Sequence, residues 1–137
     1  MPIISRCSLC GQVKQPGKPC PRCQRKRWNS IQREQEISQF YNSRGWGTLR
    51  KVTQQAQGNI DLLLWHENSQ IIIADVVHHI IPIRADWSLR LNADNLICLS
   101  DQSHKQIHDL LKCGGRLADE AIRRCREARG AWYASLR

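Results

Sequence analysis

The sequence predicts a small α+β protein, in which short strands and a helix form a core between flanking helices. Two β-branched apolar runs, at residues 71–73 and 76–81, predict strands, and a further short apolar run follows at residues 95–99. Apolar residues recur at helical intervals in four other segments, at residues 28–42, 49–57, 100–112 and 117–130. A chain of 137 residues has room for one modest core and a small appendage, not for two large domains.

The positive charge of the chain is concentrated in its first part. Residues 1–52 hold eleven lysines and arginines and only two acidic residues, whereas residues 53–137 are neutral, so the net charge of +9 lies in the first segment. A basic arm on a neutral body indicates a polyanionic partner, although a merely soluble basic surface is the simpler alternative. No apolar run is long enough to cross a bilayer, and the first residues do not read as a signal peptide. We therefore expect a soluble, cytoplasmic protein that does not contact a membrane.

Four of the seven cysteines form two Cys-x-x-Cys pairs near the N-terminus, namely Cys7 with Cys10 and Cys20 with Cys23. Each pair makes a tight turn that directs two sulfurs at one point, and two such turns complete a tetrahedral zinc site. The segment is rich in proline and glycine, so we expect almost no regular structure in it and a zinc knuckle that folds only around its ion. A redox role has little support, because no βαβ pattern surrounds either pair. The three other cysteines are predicted to be small buried or bystander thiols.

A basic run, Arg25 to Arg27, reads as a hinge before the first helix. Trp28 lies on the apolar stripe of that helix, and Trp46 follows it between two glycines that predict a bend. Either indole could stack on a nucleic-acid base, but a tryptophan on an apolar stripe is more often part of a core. We therefore predict that both are buried.

The chemistry of the sequence is concentrated in four histidines and one asparagine, His78, His79, Asn95, His104 and His108. His104 and His108 are four residues apart on a predicted helix that Ser100 or Asp101 can cap, so both lie on one face and can bind one ion. Adjacent histidines on a strand point to opposite faces, so one of the first two can join that ion while the other faces a neighbouring group or a substrate. Three protein ligands with an open position are typical of catalytic metal sites.

The order His-His-Ile, Asn-Leu and His-x-x-x-His resembles the ββα-metal motif of HNH endonucleases, and also the DNase domains of colicins. The resemblance to small HNH proteins of phage genomes extends upstream, through the stretch from Phe40 to Trp46 and the dipeptide Leu49-Arg50, and covers roughly residues 40 to 112. It implies that His78, His104 and His108 bind the metal. It also implies that His79 is the general base and that Asn95 orients it.

The sequence departs from many members of that family at one place. Those members carry cysteines just before the metal helix that join an upstream Cys-x-x-Cys in a structural zinc site, whereas this chain has Ser100 and Ser103 there. We expect no such zinc in the core, and we expect apolar packing by the segment 62–65 in its place.

The sequence therefore predicts a metal-dependent DNA endonuclease whose ion is zinc, nickel or manganese rather than magnesium, because imidazole suits those metals better. The alternatives are a zinc-knuckle nucleic-acid-binding protein with an inert core, and a phage packaging accessory that docks on a larger nuclease. The predicted organisation is a zinc-knuckle basic arm (1–27), a helical linker (28–60), the HNH core (61–112) and a C-terminal helix (113–137). The basic side chains predicted to contact DNA are Arg25, Lys26, Arg27, Arg44, Arg50 and Lys51.

Overall fold

The computed structural model describes residues 3–137. These residues form two compact units that divide between Ser43 and Arg44. Within the described range, no helix combines the length and the hydropathy that a membrane span requires.

The first unit consists of a small hairpin and one long helix. Strands β1 (Ser5–Arg6) and β2 (Val13–Lys14) pair antiparallel and are followed by helix α1 (Pro21–Tyr41). The sequence indicated neither the hairpin nor so early a start for the helix. Pro21 stands at the first helical position, where proline is favoured because an N–H there would have no partner within the helix. The Cys20 carbonyl accepts the first helical hydrogen bond, from Gln24 N at 2.9 Å. The basic run 25–27 is therefore helical and is not a hinge.

Helix α1 buries residues only towards its C-terminal end. Ile37 and Phe40 are buried, whereas the side chain of Trp28 is 60% exposed and that of Ile31 is 43% exposed. The prediction that Trp28 belongs to a core is wrong. Helical spacing identifies the apolar face of a helix, but it does not tell how far along the helix the packing extends.

The second unit is a two-stranded sheet surrounded by helices. Its helices are α2 (Arg44–Ala56), α3 (Leu62–Asn68), α4 (Asp101–Cys113) and α5 (Gly115–Ser135). Strands β3 (Val76–His79) and β4 (Leu96–Leu99) pair antiparallel, with His79 opposite Leu96 and Val76 opposite Leu99. Two short 3-10 turns, Trp87–Leu89 and Ala93–Asn95, lie in the long connection between the strands. Strand β4 and helix α4 follow each other directly, so the strand pair and this helix form the predicted ββα arrangement.

Two local predictions for this unit are wrong. Gly45 and Gly47 lie inside α2 and do not form a bend. Residues 71–73 form no strand but a single bridge, between Ile60 and Ile73, and all three isoleucines are exposed. In both cases tertiary context overrides the local preference.

The core of the second unit lies between the sheet and helices α3, α4 and α5. Its buried members are Leu62, Leu63, Ile80, Ile97, Leu99, Ile107, Ala121, Cys125 and Ala128. Ala121, Cys125 and Ala128 recur at helical spacing, and side chains this small let α5 pack closely. The prediction that the segment 62–65 packs in the core holds for Leu62 and Leu63, and Cys98 and Cys125 are buried thiols as expected.

A buried carboxylate connects helices α3 and α4. Asp61 is fully buried, and its Oδ1 accepts a hydrogen bond from Leu64 N at 2.9 Å, which caps α3. Its Oδ2 accepts from Ser100 N at 2.9 Å and from Ser100 Oγ at 2.6 Å. Ser100 Oγ in turn accepts from Ser103 N at 3.3 Å and caps α4. The two serines that stand in place of cysteines thus begin the helix that carries His104 and His108.

Candidate metal centres and active site

The four N-terminal cysteines form one cluster. Their sulfurs lie within 4.8 Å of one another, with 3.7 Å between the sulfurs of Cys7 and Cys23 and 3.6 Å between those of Cys10 and Cys20. A disulfide would need about 2.05 Å. Four sulfurs at about 2.3 Å from a zinc ion lie roughly 3.8 Å apart at tetrahedral angles. The cluster therefore has the spacing of a tetrahedral sulfur site.

The thiols of this cluster differ in how readily they ionise. Backbone N–H groups of Cys10 and Leu9 donate to the Cys7 sulfur and lower its pKa to about 6, and the N–H of Cys23 similarly lowers the pKa of Cys20. The neighbouring sulfurs of Cys10 and Cys7 raise the pKa of Cys23 to about 12. Several thiolates at this distance need a cation among them, and the backbone amides already favour the ligand form of two.

Three histidines form a second cluster at the junction of β3 and α4. One ring nitrogen each of His78, His104 and His108 lies within 4.8 Å of the others, and Nε2 of His104 is 2.8 Å from Nε2 of His108. His78 is buried, and its Nε2 has no hydrogen-bond partner. Among residues 3–137, no other buried side-chain nitrogen or oxygen lacks a partner. A buried polar atom without a partner costs free energy. The donor set therefore fits a divalent ion, for which Nε2 of His78 would be a ligand.

Burial lowers the pKa of His78 and of His104 and so favours the neutral ring, which is the form that binds a metal. Burial, and then the charges of His104 and His108, lower the pKa of His78 to about 3. Burial also lowers the pKa of His104, and the neighbouring His108 lowers it further. Near neutral pH, protons then compete little with an ion for the ring nitrogens of His78 and His104.

His79 contacts different residues from His78, as the alternation of a strand predicts. Its ring stacks on the indole of Trp46, with 4.8 Å between ring centroids and 23° between planes. Its Nε2 lies 2.9 Å from the carbonyl oxygen of Arg90. Because a carbonyl only accepts, Nε2 carries the proton of the neutral ring, and Nδ1 is the nitrogen that can take a proton up. Burial lowers the pKa of His79, and the bond to Arg90 partly opposes this.

Arg90 is the site residue that the sequence did not reveal. Its Nη1 donates to the Trp87 carbonyl at 3.0 Å, and its guanidinium carbon lies 4.8 Å above the centroid of the Trp87 ring. These contacts hold the turn in which the Arg90 carbonyl accepts a hydrogen bond from Nε2–H of His79. The tryptophan and arginine three residues apart could have indicated a local contact, but no pattern indicates that a backbone carbonyl reaches a histidine eleven residues away.

Asn95 closes the end of the strand pair. Its Oδ1 accepts from Ile81 N at 2.8 Å, its Nδ2 donates to Ile81 O at 2.9 Å, and its carbonyl accepts from Ile80 N at 2.8 Å. Its side chain thus holds the backbone two residues beyond His79. Trp46 is buried as predicted.

The remaining candidate residues lie outside these clusters. Oδ2 of Asp75 accepts a hydrogen bond from Asp101 N at 2.8 Å, at the first turn of α4, and His66 is exposed. Among the basic residues predicted to contact DNA, Arg25, Lys26 and Arg27 are exposed on α1, and Arg44, Arg50 and Lys51 are exposed on α2.

The sequence matches no protein-family model and no curated protein. Among solved structures, the chain is similar to the HNH endonuclease of the deep-sea thermophilic bacteriophage GVE2, crystallised with a manganese ion. The two chains are 32% identical, and the match has a TM-score of 0.59 and covers 65% of this chain and 98% of that one. The ββα order, the histidine cluster and this match lead to one conclusion. The chain belongs to the HNH endonuclease family.

Proposed function

We propose that the protein is a metal-dependent DNA endonuclease that hydrolyses phosphodiester bonds. The observation that carries this proposal is the partnerless, buried Nε2 of His78 facing His104 and His108, with a separately held histidine next to it on the strand. A purely structural ion site has no need of a second histidine stacked and hydrogen-bonded as His79 is. The phage enzyme of similar structure, a nuclease crystallised with manganese, supports the same function.

His78, His104 and His108 would hold the ion, and three imidazoles favour manganese, zinc or nickel over magnesium. When bound, such an ion supplies Lewis-acid polarisation of the scissile phosphate and stabilises the charge on the leaving oxygen.

His79 takes the role of general base. The Arg90 carbonyl keeps the proton on Nε2, so Nδ1 accepts the proton of an attacking water, and the lowered pKa keeps the ring neutral near pH 7. Trp46 packs against the face of the ring and restricts its rotation. Asn95 acts through the backbone of Ile81, where it fixes the end of the strand that carries both histidines.

Exposed basic side chains on α1 and α2 would bind phosphates irrespective of sequence. The cysteine cluster would hold a structural zinc ion, because the hairpin around it has little apolar surface to bury.

Incubation of the purified protein with supercoiled plasmid tests the proposal, with manganese, nickel, zinc and magnesium each supplied after treatment with EDTA. We expect conversion to nicked or linear plasmid with at least one of the first three ions and none with EDTA. If no ion supports cleavage while DNA binding persists, the protein is the alternative, a zinc-knuckle binding protein with an inert core.

A further inference from the structure

We propose that helix α1 carries a stacking site for unpaired DNA bases, centred on Trp28. The inference rests on the proposed function and deepens it, because it names the part of the DNA that the first unit recognises: a single-stranded stretch such as an overhang, a gap or a flap.

An exposed apolar strip runs along α1. Trp28 and Ile31 lie three residues apart on one face of the helix and, with Pro21 and the polar Gln24, line a groove of about 550 Å³. Trp28 and Ile31 are exposed although tryptophan and isoleucine are usually buried. A contiguous exposed apolar surface of this kind marks an interaction site.

Positive charge lies beside the strip. Arg25 and Arg27 line the same groove, and at about 100° per residue they project on opposite sides of the Trp28 position. Neither guanidinium has a hydrogen-bond or ion-pair partner in the described chain. The sequence contains no acidic residue before Glu34. An apolar protein partner would meet two unpaired cations here, whereas a nucleotide offers an apolar base face next to a phosphate.

A base must be unpaired to use this site. In duplex DNA both faces of each base are covered by its neighbours, and exposing one costs a few kcal/mol. In a single strand the faces are accessible, and aromatic side chains between cations form the usual platform for them. Arg25 and Arg27 can then contact the phosphates on either side of the stacked base.

Binding of the full-length protein, without added divalent ion so that cleavage cannot interfere, tests the proposal. Fluorescein-labelled dT20, a 20-base-pair duplex and the same duplex with a ten-nucleotide overhang are titrated at one salt concentration. We expect Trp28→Ala to weaken binding of dT20 and of the overhang about 5- to 100-fold and to leave duplex binding within about twofold. Trp28→Phe should keep most of the affinity, and wild-type tryptophan fluorescence should be quenched by dT20 more than that of Trp28→Phe.

Ile71→Ala is the matched control, because Ile71 is also an exposed apolar side chain but lies in the second unit. The zinc content of each variant checks that the first unit is folded. Unchanged affinity of Trp28→Ala for dT20 would overturn the proposal and point to a protein partner for this surface. An equal loss on single strand and duplex would overturn the choice of substrate. Plasmid cleavage is scored separately, so failure of the stacking site and failure of the nuclease function give different results.

Discussion

At the scale of single residues, the stacking of Trp46 on His79 allows a test of whether His79 is a positioned general base. We expect Trp46→Leu, which keeps an apolar side chain but removes the stacked ring, to lower kcat of plasmid cleavage about tenfold or more, since small misplacements of a reacting group are costly. KM and the affinity for manganese should change little. Trp46→Phe should recover most of the rate. Steady-state kinetics and calorimetric titration of manganese measure these effects, and a rise in KM with kcat unchanged would argue against a positioning role.

His78 makes the stability of the metal-free protein depend on pH. Its pKa is about 3 when folded and about 6.5 in the unfolded chain, so between these values the unfolded state binds more protons. The free energy of unfolding should be highest above pH 6.5 and fall as the pH decreases towards 3, by about 1.4 kcal/mol per pH unit for this one group. Urea unfolding in EDTA at several pH values measures the slope. His78→Asn should make it shallower, and an unchanged slope in that variant would contradict the assignment.

At the scale of secondary-structure elements, Ser100 connects the start of α4 to α3 through Asp61. Ser100→Ala removes the cap of α4 and one hydrogen bond to a buried carboxylate, so we expect the free energy of unfolding to fall by about 2–4 kcal/mol. Ser135→Ala is the control, because its hydroxyl donates only to the exposed end of α5. Urea denaturation of both variants measures the difference, and equal stabilities would show that this connection contributes nothing.

Most elements could be predicted from the sequence, and the reasons for the misses are physical. The strand 76–79 and the helix that begins after Ser100 have strong local signals, a β-branched run and a cap, and both were predicted. The segment 71–73 has an equally strong β-branched pattern, but strands need a paired neighbour, and only Ile73 finds one. The pairing of His104 with His108 could be predicted because residues four apart lie on one face of a helix. Strand alternation predicted that only one of His78 and His79 joins them, and the choice of His78 came from the resemblance to HNH endonucleases. The Arg90 carbonyl could not, because every residue has a carbonyl and only the folded loop selects one.

At the scale of the whole molecule, the basic run on α1 should dominate the salt dependence of DNA binding. Replacement of Arg25, Lys26 and Arg27 by glutamine should reduce the slope of log K against log salt by about 0.9 for each phosphate of duplex DNA that is no longer neutralised. The control replaces Arg116, Arg126 and Arg137 by glutamine, which removes the same charge from the second unit. Fluorescence anisotropy at several salt concentrations gives both slopes, and equal changes would mean that net charge alone determines affinity.

The central claim is that adjacent histidines have different roles, with His78 in the ion site and His79 as the base. The most direct measurement determines manganese binding and the single-turnover rate of plasmid cleavage on the same preparations of wild type, His104→Ala, His79→Ala and the exposed control His66→Ala. We expect His104→Ala to lose both the ion and cleavage. His79→Ala should keep the ion and DNA binding while its rate falls by about 10²- to 10⁴-fold, as loss of a general base requires, and His66→Ala should resemble wild type. Cleavage by His79→Ala at the wild-type rate, or loss of the ion from that variant, would contradict the account.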